Sequence, residues 1–197
     1  MMVDVLFEDN HLLVLNKPSG LLTEPSGTLQ DSLYDRAKLY IKEKYQKPGN
    51  VYLGIVHRLD KPASGLVIFA KTSKALSRLN QSMRDKNLKK TYTALVEKEL
   101  SPSDGVLEHY LVHDDYKALV SSKQDKNAKY CKLSYHTVKK GKKTSLLEIL
   151  LETGRYHQIR TQLAAAGCPI VGDQKYGSTM PFLKDAIALH YTRLELI

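Results

Sequence analysis

The sequence predicts a single α+β domain with a mixed, mainly antiparallel sheet flanked by helices and loops. Three observations indicate this fold class. Apolar runs typical of strands outnumber helical segments, most of them are separated by hairpin-like turns, and the chain shows neither an internal repeat nor a linker. Consecutive strands joined by tight turns pair side by side, and the few helices then pack against the resulting sheet.

The composition is that of an ordinary soluble protein. The chain has 197 residues, of which 42% are hydrophobic and 26% charged, and this size can bury a real core in one domain. No run of about eighteen apolar residues occurs, so no membrane span is expected. The first residues lack the basic and apolar regions of a signal peptide.

The cysteine usage and the net charge suggest a compartment and a class of partner. Cys131 and Cys168 are far apart and lack metal-ligand spacing, so we expect free thiols, a cytoplasmic location and no metal site. The net charge of +9 at pH 7 attracts nucleic acid or other anionic partners, although such an excess can also serve solubility alone.

The first segments predict a hairpin followed by a helix. Residues 4–8 and 12–16 are apolar runs on either side of a short polar turn, which is the pattern of a β-hairpin. The helix is predicted from an apolar face with acidic residues near its start and basic residues near its end, the order that suits the helix dipole. That face is formed by Leu29, Leu33, Ala37, Tyr40 and Ile41.

The rest of the chain predicts mainly strands. The apolar run at residues 66–70 indicates a buried strand, and Thr72 or Ser73 is expected to cap a second helix. Further strands are predicted at residues 89–96, 106–111, 131–138, 144–152 and 191–197. The polar stretch 114–129 is expected to be a surface excursion, residues 139–143 a basic hairpin loop, and residues 157–166 a helix ended by Gly167.

The polar segment at residues 57–65 is the most informative part of the chain. It places one carboxylate, Asp60, among three basic side chains and ends in a Ser-Gly turn before the buried strand. A rigid strand that positions an exposed loop is a common way to build an active site. The basic side chains are His57, Arg58 and Lys61.

Three other segments place polar groups at strand–loop junctions, namely residues 16–20, 90–92 and 154–160. The first has the composition of a plain turn, and a tyrosine within a strand, as in the second, is usually half-buried structure. The third is more specific because it packs four hydrogen-bonding side chains around one helix start. The alternative for this third segment is a solvated helix face.

In combination, these segments resemble the RluA-type family of pseudouridine synthases. Residues 57–60 followed by Ser64 and Gly65 are similar to the catalytic motif of that family. Residues 151–160, with residues 167–173 and 176–177, resemble its C-terminal motif, and residues 17–21 and 90–92 correspond to the two remaining motifs. The motifs occur in the order found in the family and span nearly the whole chain. One departure is Pro62-Ala63, where many members carry Glu or Met followed by Thr.

The resemblance implies the fold and the activity. Residues 1–197 are expected to form one pseudouridine-synthase-like catalytic domain without an N-terminal S4-like domain. The expected reaction is the isomerisation of specific uridines to pseudouridine in structured RNA, either rRNA or tRNA, without a cofactor. We expect a monomer with no obligate protein partner and no association with membranes.

The resemblance also assigns residue roles. Asp60 corresponds to the essential catalytic acid, Tyr92 to the aromatic ring that stacks on the target base, and Arg160 to the cation paired with Asp60. Because the target atoms lie inside a stacked helix, the nucleotide must be flipped out, at a cost of a few kcal/mol. Further contacts to RNA are expected from His57, Arg58, Arg155, His157, Gln158, Lys17 and Lys90. Phosphates are expected to contact some of the lysines at positions 89, 90, 139, 140, 142, 143 and 175, although any one of them can simply be solvated surface.

Two other functions and three mechanisms stay open. The chain can be an RNA-binding module that keeps the fold without turnover, although Asp60, Tyr92 and Arg160 are all present. A glycosidase or hydrolase is less compatible with the sequence, because no second acid is placed for general acid catalysis. Within the isomerase hypothesis, Asp60 can attack the sugar carbon, attack the base, or remove a sugar proton.

Overall fold

The structure of the protein is a computed structural model that describes residues 3–196. Contacts within the chain divide it into two compact units, which meet in sequence between Leu88 and Lys89. They are called here the N-terminal unit and the C-terminal unit. The fold class is α+β, as predicted, and the single domain expected over residues 1–197 stays a prediction.

Over residues 3–88, the N-terminal unit contains four strands and two helices. These are β1 (Asp4–Glu8), β2 (Leu12–Lys17), α1 (Leu33–Lys44), β3 (Gly54–Ile55), β4 (Ser64–Ala70) and α2 (Ser73–Arg84). Strand β2 pairs antiparallel with both β1 and β4, and β3 pairs antiparallel with the end of β4. The predicted hairpin, the strand after residue 65 and the cap at Thr72, whose hydroxyl accepts from the Ala75 N–H, are confirmed.

The start of α1 differs from the prediction. Ser32 is the N-cap residue, and its hydroxyl accepts a hydrogen bond from the Asp35 N–H. Because the helix therefore begins at Leu33, Leu29 lies outside it and is fully exposed. The assignment of Leu29 to the apolar face was wrong, since the capping hydroxyl and not the apolar period decides where this helix starts.

One buried carboxylate ties the N-terminal hairpin to α1 and to the end of β4. The Glu8 carboxylate accepts hydrogen bonds from Tyr40 (2.9 Å), Tyr45 (2.7 Å) and the ammonium groups of Lys44 and Lys71 (both 2.7 Å). Burial by itself would raise the pKa of Glu8, but these donors lower that pKa to about 2. The carboxylate is thus charged, and it anchors three elements at one point.

In its described part, up to residue 196, the C-terminal unit contains six strands, one helix and a short 3-10 turn. These are β5 (Leu88–Glu97), β6 (Asp104–Asp114), β7 (Lys117–Ser121), β8 (Lys129–Lys140), β9 (Thr144–Leu151), α3 (Gln158–Ala165), the 3-10 turn Gln174–Tyr176 and β10 (Leu189–Leu196). Within this unit the strands lie in the order β10-β5-β9-β8-β6-β7. The ladders β5–β9, β9–β8, β8–β6 and β6–β7 are all antiparallel.

Strand β7 corrects the expected surface excursion at residues 114–129. Its five residues pair with β6 from Tyr110 to Asp114, and Ala118 is buried within it. The sequence of β7 shows little alternation because an edge strand is held by backbone hydrogen bonds to one neighbour and buries few side chains. Strand β3 and the 3-10 turn were also not predicted. The end of the last predicted strand, Ile197, lies outside the described residues.

Two structural facts bear on the class of protein. Across residues 3–196, every helix is too short or too polar to cross a membrane. The same residues contain no group of three or more His, Cys, Asp or Glu side chains that could hold a metal ion.

Candidate active site

In the N-terminal unit, Asp60 lies in the connection from β3 to β4 and is partly exposed. The backbone around it is held on both sides. The Leu59 N–H donates to the Thr23 hydroxyl (3.1 Å), which in turn donates to the Leu59 carbonyl (2.9 Å). The Ala63 N–H donates to the Asp60 carbonyl (3.1 Å) and closes a turn. Asp60 is therefore presented by a loop whose backbone is fixed rather than mobile.

Lys17 holds the same loop through hydrogen bonds to backbone carbonyl groups. It is fully buried at the end of β2, and its Nζ donates to the carbonyls of Leu21 (2.7 Å), Pro18 (3.0 Å) and Lys61 (3.1 Å). An ammonium group has three N–H donors, and these three carbonyls use all of them. Burial lowers the pKa of Lys17 to about 8, and the nearby charge of Asp60 acts in the opposite direction. Lys17 thus positions the residue next to Asp60.

The two basic residues before Asp60 lie in different surroundings. His57 is half-buried, and its Nε2 accepts a hydrogen bond from the Ile68 N–H (3.2 Å) in the middle of β4. Arg58 is exposed and forms an ion pair with Glu24. Exposed ion pairs contribute only about 0–1 kcal/mol. The guanidinium of Arg58 can therefore leave Glu24 for a phosphate or a base at little cost.

In the C-terminal unit, Tyr92 lies in the middle of β5 and is buried. Its ring stacks on that of Tyr191 in β10, with centroids 4.4 Å apart and an angle of 9° between the planes. Stacking of this kind holds the Tyr92 ring in one orientation. Lys90, two residues earlier, is partly buried, and burial lowers its pKa. The Nζ of Lys90 lies close to Gly154. A Cβ atom added to this glycine would be 3.7 Å from Nζ.

Gln158 organises the turn that leads from β9 into α3. It is buried, and its amide oxygen accepts from the Thr153 hydroxyl (2.8 Å) and from the Arg155 N–H (3.0 Å). Its amide nitrogen donates to the Lys132 carbonyl (3.1 Å). The Arg155 side chain is exposed and donates from Nε to the Tyr130 carbonyl (3.1 Å). Gln158 is thus part of the scaffold, whereas Arg155 is at the surface.

Arg160 is buried in α3 and pairs with Asp173. Its Nε donates to one carboxylate oxygen at 2.7 Å and its Nη2 to the other at 2.8 Å. The two side chains are only 4% and 1% exposed, so this is a buried bidentate ion pair. The guanidinium carbon also lies 4.9 Å from the centre of the Tyr176 ring. These contacts set the plane in which the guanidinium of Arg160 lies.

His157 is buried and belongs to a hydrogen-bonded chain with Tyr176 and Ala118. The Ala118 N–H donates to the Tyr176 hydroxyl (2.8 Å), and that hydroxyl is 2.8 Å from Nδ1 of His157. These contacts hold the imidazole ring in place. The His157 backbone has a left-handed φ of 50°, which a residue other than glycine seldom adopts.

His157 should make stability depend on pH. Burial, followed by the charges of Arg160 and Lys175, lowers its pKa from 6.5 to about 3. Because the pKa is depressed in the folded state, the contribution of His157 to the free energy of unfolding is complete above pH 6.5. This contribution is lost as the pH falls towards 3, at up to ~1.4 kcal/mol per pH unit. We expect the free energy of unfolding of His157→Gln to fall less steeply than that of the wild type between about pH 6.5 and 5. Urea unfolding at several pH values measures this difference, and equal slopes would contradict it. His109 and His190 are present in both proteins, so their effects on the two slopes cancel in the comparison.

The structure brings the predicted residues together in two groups. Lys17, His57, Arg58 and Asp60 belong to one loop system of the N-terminal unit, and Lys90, Tyr92, Arg155, His157, Gln158 and Arg160 belong to the C-terminal unit. Three partners were not assigned a role from the sequence. Asp173 and Tyr176 lie within the motif quoted at residues 167–177, so that motif was a signal for them. Tyr191 carried no such signal, because a tyrosine in a terminal strand is unremarkable.

Comparison with known sequences gives one consistent result. Residues 11–165 match the family described as RNA pseudouridylate synthase. An uncharacterized RNA pseudouridine synthase of Bacillus subtilis, YhcT, is 36% identical over 99% of this chain and 64% of its own length. Ribosomal large subunit pseudouridine synthase D of Nitrosomonas europaea is 37% identical over 98% of this chain and 57% of its own length. The chain therefore spans about three fifths of these two relatives.

One shorter relative and two solved structures extend the comparison. The dual-specificity RNA pseudouridine synthase RluA of Vibrio vulnificus is 31% identical over 98% of this chain and 76% of its own length. The structure titled Human RNA Pseudouridylate Synthase Domain Containing 4 matches with a TM-score of 0.83 at 24% identity, over 98% of this chain and 84% of that one. Human RNA Pseudouridylate Synthase Domain Containing 1 matches with a TM-score of 0.77 at 21% identity, over 99% and 78%. At these identities the structural matches establish the fold.

Proposed function

Since the chain belongs to the RNA pseudouridylate synthase family, we propose that it isomerises specific uridines to pseudouridine in structured RNA. The observation that carries the proposal is the family match over residues 11–165, because this range includes Asp60, Tyr92 and Arg160. The reaction breaks the bond from N1 to the sugar carbon C1′, turns the uracil, and joins C5 to the same carbon. The C5 proton is lost and N1 gains one, so no atom has to be supplied by a cofactor.

Asp60 is the catalytic carboxylate in this proposal. It acts as a nucleophile on the sugar carbon or on the base, or as the base that removes a sugar proton. Each of these roles requires the ionised form. Support comes from the partial exposure of Asp60 and from the fixed backbone on both sides of it. A fixed loop lowers the entropy that must be lost when the reacting atoms are brought together.

Tyr92 and Arg160 act on the flipped nucleotide and on Asp60. The Tyr92 ring stacks on the extruded uracil and recovers part of the energy needed to unstack it. Its own stacking on Tyr191 keeps this platform rigid. Arg160 pairs with Asp60 and favours the carboxylate form. The bidentate contact with Asp173 supports this role because it fixes the plane of the guanidinium, and a nearby guanidinium favours the ionised form of a carboxyl group.

The remaining predicted residues act on the RNA around the target, either directly or through the segments that they hold. Arg58 and Arg155 are exposed and can reach phosphates or the space left by the flipped base. Lys90 and His57 are half-buried and contact the RNA next to them, whereas Lys17, His157 and Gln158 are buried and act through the loop and the turn that they hold. We take the enzyme to work as a cytoplasmic monomer without a cofactor, an obligate protein partner or a membrane.

Ribosomal RNA is the substrate class to test first, since one of the relatives above is named as a pseudouridine synthase of the ribosomal large subunit. The purified chain is incubated with transcripts of large-subunit rRNA domains and of tRNAs, and pseudouridine is mapped by carbodiimide adducts that stop primer extension. We expect conversion of one or a few uridines. Binding of these RNAs without any conversion would instead favour an RNA-binding module that lacks turnover.

A further inference from the structure

Five exposed lysines meet at one end of the sheet in the C-terminal unit. Lys98 follows β5, two others are the last residues of β8, and the remaining two lie in the loop from β8 to β9. We call Lys98, Lys139, Lys140, Lys142 and Lys143 the distal lysine cluster. In the antiparallel register Glu97 pairs with Thr144, whereas Lys90 pairs with Leu151. The cluster is therefore at the opposite end of the sheet from Lys90 and Tyr92.

The two segments that carry the cluster are bonded to each other. The Lys98 N–H donates to the Lys143 carbonyl (2.8 Å), and the Ser145 hydroxyl donates to the Lys98 carbonyl (2.9 Å). The Gly141 N–H donates to the Thr144 carbonyl (2.7 Å) and closes the loop. The backbone that carries the lysines is thus held by hydrogen bonds, which distinguishes the cluster from a basic tail without regular structure.

The local charge is strongly positive. The segments 97–99 and 139–144 contain five lysines and two acids, Glu97 and Glu99. The Glu97 carboxylate is buried and accepts hydrogen bonds from Ser178, Thr179 and Met180. Within the described part of the chain, the ion pair of Lys140 with Glu99 is the only one that the cluster forms. Four ammonium groups therefore face solvent close together.

This concentration of charge is not needed for the hairpin. Lys139 and Lys140 lie opposite Leu146 and Ser145, and like charges held close together disfavour folding. A surface that keeps four such charges together is complementary to a polyanion, and phosphates at regular spacing are the ligand that lysine side chains bind as point charges.

The cluster is too distant to touch the target nucleotide. From Tyr92 to Lys98 the chain advances six residues, which at about 3.3 Å per residue in a strand is ~20 Å. The field of exposed charges fades within a Debye length of about 8 Å at physiological salt. Only RNA that continues well beyond the target uridine can therefore meet the cluster.

We propose that the distal lysine cluster binds backbone phosphates of RNA that flanks the modified uridine, about 20 Å along β5 from Tyr92. The inference rests on the proposed function for the position of the target. It adds a second contact surface, one that reads the extent and shape of the RNA and not its sequence.

The test compares two probes from the same RNA and three variants. One probe is a short stem-loop with the target uridine. The other extends that stem by about 20 base pairs, or roughly 60 Å at ~3 Å per pair. In the first variant Lys139, Lys140, Lys142 and Lys143 are all replaced by Gln, and in the second by Arg. The matched control replaces Lys42, Lys47, Lys74 and Lys126, four exposed lysines outside the cluster, by Gln.

We expect the Gln cluster variant to bind the extended probe at least about 10-fold more weakly, with the slope of log K against log salt reduced by about 2 to 3. Its KM for the extended RNA should rise while kcat stays within about twofold. The short probe should be unaffected, and the Arg variant should behave as wild type. Unfolding curves establish that each variant is folded.

Three results would overturn the inference. They are an equal loss on the short probe, an equal loss in the matched control, and no change on the extended probe. The binding measurements need no turnover. If the wild type forms no pseudouridine on either probe, the proposed function fails while the salt slope of the cluster variant still decides the phosphate contact.

Discussion

Replacing Asp60 by Asn should reduce pseudouridine formation by at least about 10³-fold, the scale seen when an essential nucleophile or base is removed from an enzyme. Asn has the shape of Asp but carries no negative charge, so it cannot attack a carbon atom or accept a proton at neutral pH. Single-turnover assays with excess enzyme measure the rate on a uridine-containing transcript that the wild type converts. Filter binding measures the affinity for the same RNA. RNA binding should stay within a few-fold of wild type.

The matched control is Asp85→Asn, an exposed acid at the end of α2 that should retain full activity. Because the charge of Asp60 opposes the effect of burial on the pKa of Lys17, the Asp60 variant should also lose a little stability at neutral pH. Turnover of Asp60→Asn near the wild-type rate would remove Asp60 from the chemistry, whatever its effect on stability.

The second large effect concerns the buried pair of Arg160 and Asp173. Breaking a buried ion pair by removing one of its members is strongly destabilising, so Arg160→Met and Asp173→Leu should each lower the free energy of unfolding by about 3–5 kcal/mol. Replacing both partners by apolar groups of similar size is often nearly neutral. The double variant should therefore recover most of the loss, which urea unfolding in a double-mutant cycle measures.

Activity separates the two roles of Arg160. If its charge is needed for the reaction, the double variant should be folded and stable yet at least about 10²-fold slower than wild type. The single variants would be slow for two reasons at once, since they are also destabilised, and they cannot make this distinction alone. A double variant with near-normal turnover would restrict Arg160 to a structural role.

Much of the fold was predictable because its signals are local. Turn residues and short apolar runs predicted the hairpin of β1 and β2 and the strands β5, β8 and β9 within a few residues. The failures have equally local causes. Leu29 continues the apolar period but precedes the capping Ser32, and β7 is an edge strand whose pairing depends on β6 and leaves little pattern in its own residues.

The candidate site was predictable only as a set of segments. Motif resemblance selected Asp60, Tyr92 and Arg160, and their catalytic roles stay proposals. Polar side chains at strand–loop junctions can be found from sequence, because the change from apolar to polar residues marks where a strand ends. The contacts of each side chain leave no such mark.

The fold class and most of the elements could be predicted from the sequence, because they depend on residues close together in the chain. Three contacts could be seen only in the folded chain: Arg160 pairs with Asp173, Tyr92 stacks on Tyr191, and Lys17 is buried against the Asp60 loop. The hydrogen bond from Lys98 to Lys143 is a fourth. Such pairs depend on strand register and on burial, which bring together residues that are distant in sequence and have no pattern in common.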